Sequence, residues 1–247
     1  MAPVVYLISG AGRGIGLALV AQLSSCENAI VFAGARNPAA AEALQLLENQ
    51  HPGKVYLVKL TSADESDNEA AVAKIKETAG RLDVVIANAG HSDNYVPAAE
   101  VPIEGMRKHF EVNALGPLVL FQSTWPLLKA STDHPKFFTI TSELGGIPYG
   151  PSIPWPAIAY GVSKAAANWI TAKLYFENPR LIAFPIHPGV VNTDMAIAAA
   201  KIEPLFAAVP KITPEESAKG IVKVVEAATR REDGPKFLTW DGGVMPW

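Results

Sequence analysis

The chain has 247 residues, 49% of them hydrophobic and 18% charged, a length that allows one large α/β domain or two small ones with a sizeable core. A net charge of -3 gives no reason to expect nucleic acid or an anionic membrane as a partner. One cysteine, Cys26, excludes an internal disulfide, no uncharged apolar run reaches the roughly 18 residues of a membrane span, and no charged leader precedes the first glycines, so a soluble cytoplasmic protein is expected.

Residues 3–9, PVVYLIS, form a short apolar run that breaks into GAGRGIG and resumes as the helical pattern LALVAQLSS. This is strand, glycine turn, helix. Gly10, Gly14 and Gly16 give a GxxxGxG spacing, with Gly12 in addition. Glycine admits positive φ and lets a phosphate approach the backbone. A helix starting near Gly14 aims free N–H groups at a pyrophosphate.

A second strand, AIVFAGARN, ends at Arg36, and a helix with Pro38 in its first turn follows. An acidic residue at that strand end would take a ribose diol, whereas arginine accommodates a 2′-phosphate. No carboxylate appears over residues 31–38, Arg36 stands at the strand end, and Arg13 lies inside the glycine turn. Two guanidiniums suit a phosphate dianion, which favours NADPH over NADH.

KVYLVKL is a third strand, DESDNEAAVAKIKETAG an amphipathic helix with an acidic start, and LDVVIANAG a fourth strand ending in Asn88, Ala89 and Gly90. Strands alternating with helices predict a doubly wound parallel sheet of about seven strands with helices on both faces, a Rossmann-type α/β fold in one domain over residues 1–247. Ligands bind such sheets at the carboxyl ends of the strands. Gly10, Arg36, Leu60, Asn88 and Ser142 all fall at such ends. Residues 101–129 read as helical, with Asn113 in the middle and a bend or bulge expected at Gly116-Pro117.

KFFTITS is a fifth strand ending at Ser142. Residues 159–177 carry a helical pattern, with no Gly or Pro from Val162 to Asn178. Tyr160 and Lys164 are four apart and share one helical face. A nearby cation lowers a phenol's pKa from about 10, so the pair can act as a general acid or base. The Ser142 hydroxyl is placed to hydrogen-bond a carbonyl oxygen next to Tyr160.

A sixth strand runs into Pro188 and Gly189. Residues 195–212 are apolar and broken by Pro204 and Pro210, and read equally as a lid over a hydrophobic substrate or as a surface helix. Thr213 and Glu216 form a capping pattern for the next helix, and residues 236–247 close the chain as a last strand and tail.

Together these pieces resemble the short-chain dehydrogenase/reductase family: SGAGRGIG from Ser9 through Ile15 to Gly16, NAG at 88–90, Asn113 in VNALGP, Ser142, the YxxxK of Tyr160 and Lys164, and Pro188, Gly189 and Thr193 in PGxxxT. The resemblance spans essentially the whole chain. Residues 166–195 further resemble fungal ketoreductases of the norsolorinic acid ketoreductase type, and the ending DGGVMPW resembles carbonyl reductases of the C-factor and sniffer type. The resemblance implies that Tyr160 gives a proton to a carbonyl oxygen. Lys164 lowers its pKa and binds the nicotinamide ribose, Ser142 orients the substrate, and Asn113 holds a water that links Lys164 to solvent. Asn88, Ala89 and Gly90 would line the cofactor, and Val191 and Thr193 would contact the nicotinamide amide. The family's usual Thr is Ser9 here, its aspartate at the end of the third strand is Lys59, and the span from Ser142 to Tyr160 is longer than usual.

The expectation is therefore an NADP(H)-dependent carbonyl reductase. Leu144, Tyr149, Trp155, Met195 and Phe206 are candidate walls for a bulky or aromatic ketone, under a lid at about 194–212. Alcohol oxidation, imine reduction and a non-catalytic NADP(H) sensor remain alternatives. A homo-oligomer, dimer or tetramer, is expected. His91, His109 and His187 are scattered in the sequence and are read as cofactor-side or core residues, with no metal site.

Overall fold

The protein's structure is a computed structural model that describes residues 2–247. Eight strands form one sheet in the order β3-β2-β1-β4-β5-β6-β7-β8. They are β1 (Val4–Ile8), β2 (Ala29–Ala35), β3 (Val55–Lys59), β4 (Val84–Ala87), β5 (Lys136–Ile140), β6 (Ile182–His187), β7 (Phe237–Thr239) and β8 (Val244–Met245). The first seven pair in parallel, with register such as Tyr6↔Val31, Leu7↔Val85 and Phe138↔Phe184. Helix-covered parallel strands are buried on both faces and read as continuous apolar runs. Leu7, Ile8, Phe32, Phe137, Phe138, Phe184 and Phe237 are accordingly fully buried.

The expected last strand is instead two. The chain turns at Asp241 and Gly242, which has φ +92°, and β8 returns antiparallel to β7. Glycine adopts that φ at no steric cost.

The larger helices are α1 (Gly14–Ser24), α2 (Glu42–Gln50), α3 (Glu65–Ala79), α4 (Ile103–Phe110), α5 (Gly116–Ser131), α6 (Ile158–Glu177), α7 (Asp194–Ile202), the short α8 (Pro204–Ala207), and α9 (Pro214–Ala227). α1 packs on α2 and α9, α3 packs on α5, and α4 packs on α6. Their ends are written in the sequence. Asp64 accepts from the Asp67 N–H at 2.9 Å to start α3, and Gly80 at φ +68° ends it. Thr213 and Glu216 complete a capping box on α9.

The helical stretch predicted over 101–129 is not one helix. Residues Glu111–Leu115 form a π-turn between α4 and α5. The extra residue per turn rotates Asn113 into the interior, where it is fully buried. Among the described residues no helix is long and apolar enough to cross a membrane.

Candidate active site

The sheet order reverses beside β1, so the carboxyl ends of β1 and β4 border a crevice. Ser9 and Asn88 tie these ends together. The Ser9 hydroxyl accepts from the N–H groups of Asn88 and Ala89 at 3.0 and 3.1 Å. The Asn88 amide donates to the carbonyls of Ser9 and Gly10 at 3.0 and 3.1 Å. Gly10 has φ +65°, and a Cβ there would lie 2.7 Å from the Ala89 backbone. A Cβ on Gly16 would lie 2.3 Å from the Gly10 carbonyl oxygen. By contrast, a Cβ on Gly12 would meet only Ala35, at 3.9 Å.

α1 begins at Gly14 with no side-chain cap, so its first-turn N–H groups are free for an incoming anion. Leu60 is buried at the end of β3, and Arg36 is exposed at the end of β2. Lys59 turns outward to Asp67 at 3.0 Å. Arg13 is not free: its guanidinium meets the carboxylate of Asp194, the first residue of α7, at 3.1 Å. Both side chains are largely exposed, so the pair is weak and open to exchange for another anion.

Tyr160 and Lys164 lie on α6 beside Ser142 at the end of β5. The Lys164 ammonium is buried, donates to the Ile140 carbonyl at 2.9 Å, and sits 5.5 Å from the Tyr160 ring centre. Burial pushes its pKa down to about 8. The same burial pushes the Tyr160 phenol up, the nearby Tyr95 adds to this, and a hydrogen bond with Ser142 opposes it. Desolvation is thus the leading influence on both groups.

Asn113 faces this group. Its Oδ1 accepts from the His91 N–H at 2.7 Å, and its Nδ2 donates to the His91 carbonyl at 2.8 Å and to Ser163 Oγ at 2.9 Å. Gly90 leaves room between Lys164 and Asn113: a Cβ there would stand 3.5 Å from Lys164 Nζ and 3.6 Å from Asn113 Oδ1.

Ser142 and Tyr160 open onto a cleft enclosing about 770 Å³, open solvent at its mouth included. Leu144, Trp155, Met195 and Phe206 line it, and Phe206 meets Trp155 edge-on with ring centres 4.9 Å apart. Ile15, Pro188, Gly189, Val191 and Thr193 line it from the cofactor side. Tyr149 does not. Its ring packs over Gly146 and its hydroxyl points at Met245 Sδ, 3.5 Å away, so β8 takes the side chain expected at the substrate. Among the polar lining residues, Ser92, Tyr95, Glu143 and Glu203 were not singled out in the sequence, and His187, read as a cofactor-side or core residue, lines the cleft as well. Each stands beside a motif or a lid residue, which is the one sequence signal they carry. Burial holds His187 down to about 4, so it is neutral, and its Nδ1 accepts from the Glu143 N–H at 3.2 Å.

His91 and His109 are not scattered. Their rings lie 4.8 Å apart, with Asp93 2.8 Å from His91 Nε2. The grouping has the composition of a metal site, but both His109 nitrogens are engaged: Nε2 accepts from the Asp93 N–H at 3.1 Å, and Nδ1 meets the Gly105 carbonyl at 2.7 Å. Lys108 also reaches Asp93, at 3.3 Å. The cluster is a polar clamp on the loop that carries His91.

The family model for short chain dehydrogenases matches residues 4–203. The chain belongs to the short-chain dehydrogenase family. Within it, the chain is 36% identical to the norsolorinic acid ketoreductase of Aspergillus parasiticus, over 98% of this chain and 91% of that one. It is 35% identical to an uncharacterised oxidoreductase of Schizosaccharomyces pombe, over 98% of both. The NADPH-bound carbonyl reductase from chicken fatty liver superposes with a TM-score of 0.86 at 30% identity, over the full length of both chains. The carbonyl reductase Sniffer of Drosophila melanogaster matches in fold, with a TM-score of 0.86 at 24% identity.

This short-chain dehydrogenase is an oxidoreductase of the ketoreductase and carbonyl-reductase type. Its crevice fits a dinucleotide on its own geometry. The glycine turn is open at Gly12, crowded at Gly10 and Gly16, and ends in an uncapped helix start.

Proposed function

We propose that this chain reduces a bulky, largely apolar ketone with NADPH as the reductant and Tyr160 as the proton donor. The observation that carries the reading is the convergence of Ser142 and Tyr160 on an apolar cleft, with Lys164 and Asn113 buried behind them. The glycine turn and the start of α1 would hold the pyrophosphate, and Arg13 and Arg36 the 2′-phosphate. Leu60 would hold the adenine, and Asn88, Ala89, Gly90, Pro188, Gly189, Val191 and Thr193 the nicotinamide half. When bound, NADPH supplies the hydride. The protein supplies placement and proton management. Ser142 holds the carbonyl oxygen, Tyr160 donates its proton to it, and the Lys164 charge stabilises the phenolate left behind. Residues 194–212 form the lid, because Met195, Ala199 and Phe206 face the cleft.

We place the enzyme in the cytoplasm, where the free Cys26 thiol would persist. We also read it as a homo-oligomer. Val162, Trp169 and Phe176 recur every seven residues on α6 and are all exposed, as are Ile103 and Phe110 on the adjoining α4. Light scattering on Trp169→Glu should report a smaller species than the wild type; an unchanged mass removes that face as the interface.

The deciding assay is oxidation of NADPH, against NADH, over a panel of aromatic and aliphatic ketones. Turnover with NADPH preferred is expected, and Tyr160→Phe should abolish turnover while still binding NADPH. Turnover that survives Tyr160→Phe, or a preference for NADH, overturns the assignment.

A further inference from the structure

The cleft is lined mainly by apolar groups such as Leu144, Trp155, Val190, Met195 and Phe206. Most of its polar side chains already have partners. Ser92 and Tyr95 share a hydrogen bond of 2.8 Å. The Glu203 carboxylate accepts from the Leu205 N–H at 3.0 Å, and Thr193 Oγ1 accepts from the Ala196 N–H at 3.3 Å. His187 Nδ1 accepts from the Glu143 N–H. Glu143 differs. Its backbone is pinned by His187, but among the described residues no donor or cation meets its carboxylate. Desolvation is the sole influence on its pKa, and raises it.

A half-buried carboxylate without a partner is held at a cost in free energy. In the interior of a sheet such a group is rare. Here it faces a ligand cleft, directly after the serine expected to hold the ketone oxygen. We propose that Glu143 is a specificity residue that accepts a hydrogen bond from a donor on the substrate, and that the substrate class is a ketone bearing an amine or hydroxyl near its carbonyl. Ser142 and Glu143 are consecutive, so carbonyl and donor are gripped on one wall while the rest of the molecule lies against apolar side chains. A protonated amine is the strongest ligand of this kind, because it returns a charge to the carboxylate. A ketone without a donor leaves the carboxylate unpaired and is rejected for that reason.

This inference rests on the ketone-reductase reading, and its test separates the two. Three matched aryl ketones are used: one plain, one with a hydroxyl, and one with a primary amine. Their kcat/KM values are measured for wild type, Glu143→Gln and Glu143→Leu, and their Kd values by calorimetry in the presence of NADP+, which has no hydride to give. In the wild type the donor-bearing ketones should be favoured about 10-fold to 100-fold over the plain one, the range of a hydrogen bond to a charged group. Glu143→Gln should remove the preference for the amine and keep part of that for the hydroxyl. Glu143→Leu should invert the order, raising kcat/KM for the plain ketone and lowering it for the two donor-bearing ones. Equal kcat/KM for all three ketones in the wild type, or variants that lower all three alike, overturns the role of Glu143. Absence of turnover on every ketone, with a Kd that still depends on Glu143, overturns the reductase reading and leaves the role of Glu143 standing.

Discussion

Replacing Asn113 with alanine tests whether the buried amide is a structural clamp, a member of the reacting group, or both. In the native protein the amide holds both polar groups of the His91 backbone, at 2.7 and 2.8 Å, and Ser163 Oγ at 2.9 Å. Ser163 keeps a second bond, donated to the Tyr160 carbonyl at 2.7 Å, so it is the least harmed. The His91 N–H and carbonyl lose their partners. Each unsatisfied buried group costs about 1–3 kcal/mol, so Asn113→Ala should lose roughly 2–6 kcal/mol. For a chain of this size that lowers Tm by about 5–20 °C. Asn113→Asp keeps the acceptor for the His91 N–H but cannot donate, and should fall between the two. The assay is thermal unfolding of the cofactor-free protein, followed by NADPH turnover per folded molecule. A melting point for Asn113→Ala within about 1 °C of wild type refutes the clamp, since it is far below the loss expected from two orphaned groups. A large fall in Tm with unchanged turnover would refute a direct part in the reaction.

Gly16→Ala should destabilise the protein by at least the 1–3 kcal/mol or so typical of overpacking, because the new methyl meets backbone at 2.3 Å; Gly12→Ala, with only Ala35 at 3.9 Å, should melt like the wild type. Equal melting points would show that the turn does not need its glycine at 16. Arg13→Ala and Arg36→Ala should each weaken NADPH binding by about 10-fold to 100-fold and leave NADH nearly unchanged, read by fluorescence titration; equal effects on both would remove the arginines from the 2′-phosphate. Lys164 has a folded pKa near 8 against the ordinary 10.5 of a lysine, so the unfolded chain holds the extra proton between those values. Stability of the cofactor-free protein should therefore rise with pH across that window, by an order of 3 kcal/mol at most, and Lys164→Met should lack the rise. Identical pH profiles for the two proteins would contradict the buried-charge argument.

The parallel sheet was legible because its strands are buried on both faces and so are continuous apolar runs, as in LDVVIANAG and KFFTITS. The Tyr160 and Lys164 pair was legible because a helix fixes what four residues' separation means. The strand pairing that ends the sheet was not, because β8 is two residues long and carries no periodicity. Tyr149 reads as a pocket wall in any proline-rich aromatic loop, and only its partner Met245, 96 residues away, turns it aside. The same limit hid Asp194 from Arg13, 181 residues apart, and His187 from Glu143, 44 apart. Short motifs encode local geometry. The polar lining of a cleft is assembled from loops whose order the topology sets, and no local pattern reports which of those loops meet.

The charge state of the central pair decides how the proposed reaction should respond to pH. Read from spacing alone, the Lys164 cation ought to pull the phenol toward phenolate. In the folded protein burial is the first influence on both groups and drives both toward neutrality, Tyr160 upward and Lys164 down to about 8. A proton donor needs the neutral phenol, and burial secures that form through the physiological range. Donation then creates a phenolate in a dry site, which a neutral lysine cannot stabilise. Lys164 must therefore still carry its proton when the transfer occurs. Tyr95 and Ser142 also act on the phenol, the one through its charge and the other through a hydrogen bond, but neither brings a positive charge to it. Reduction by NADPH should thus be flat below about pH 8 and decline above it, as Lys164 empties. Lys164→Arg keeps its proton at all accessible pH and should lose that decline, even if its absolute rate is lower. A reduction rate that climbs with pH would show that the limiting group works deprotonated, and would make Tyr160 a base rather than the donor.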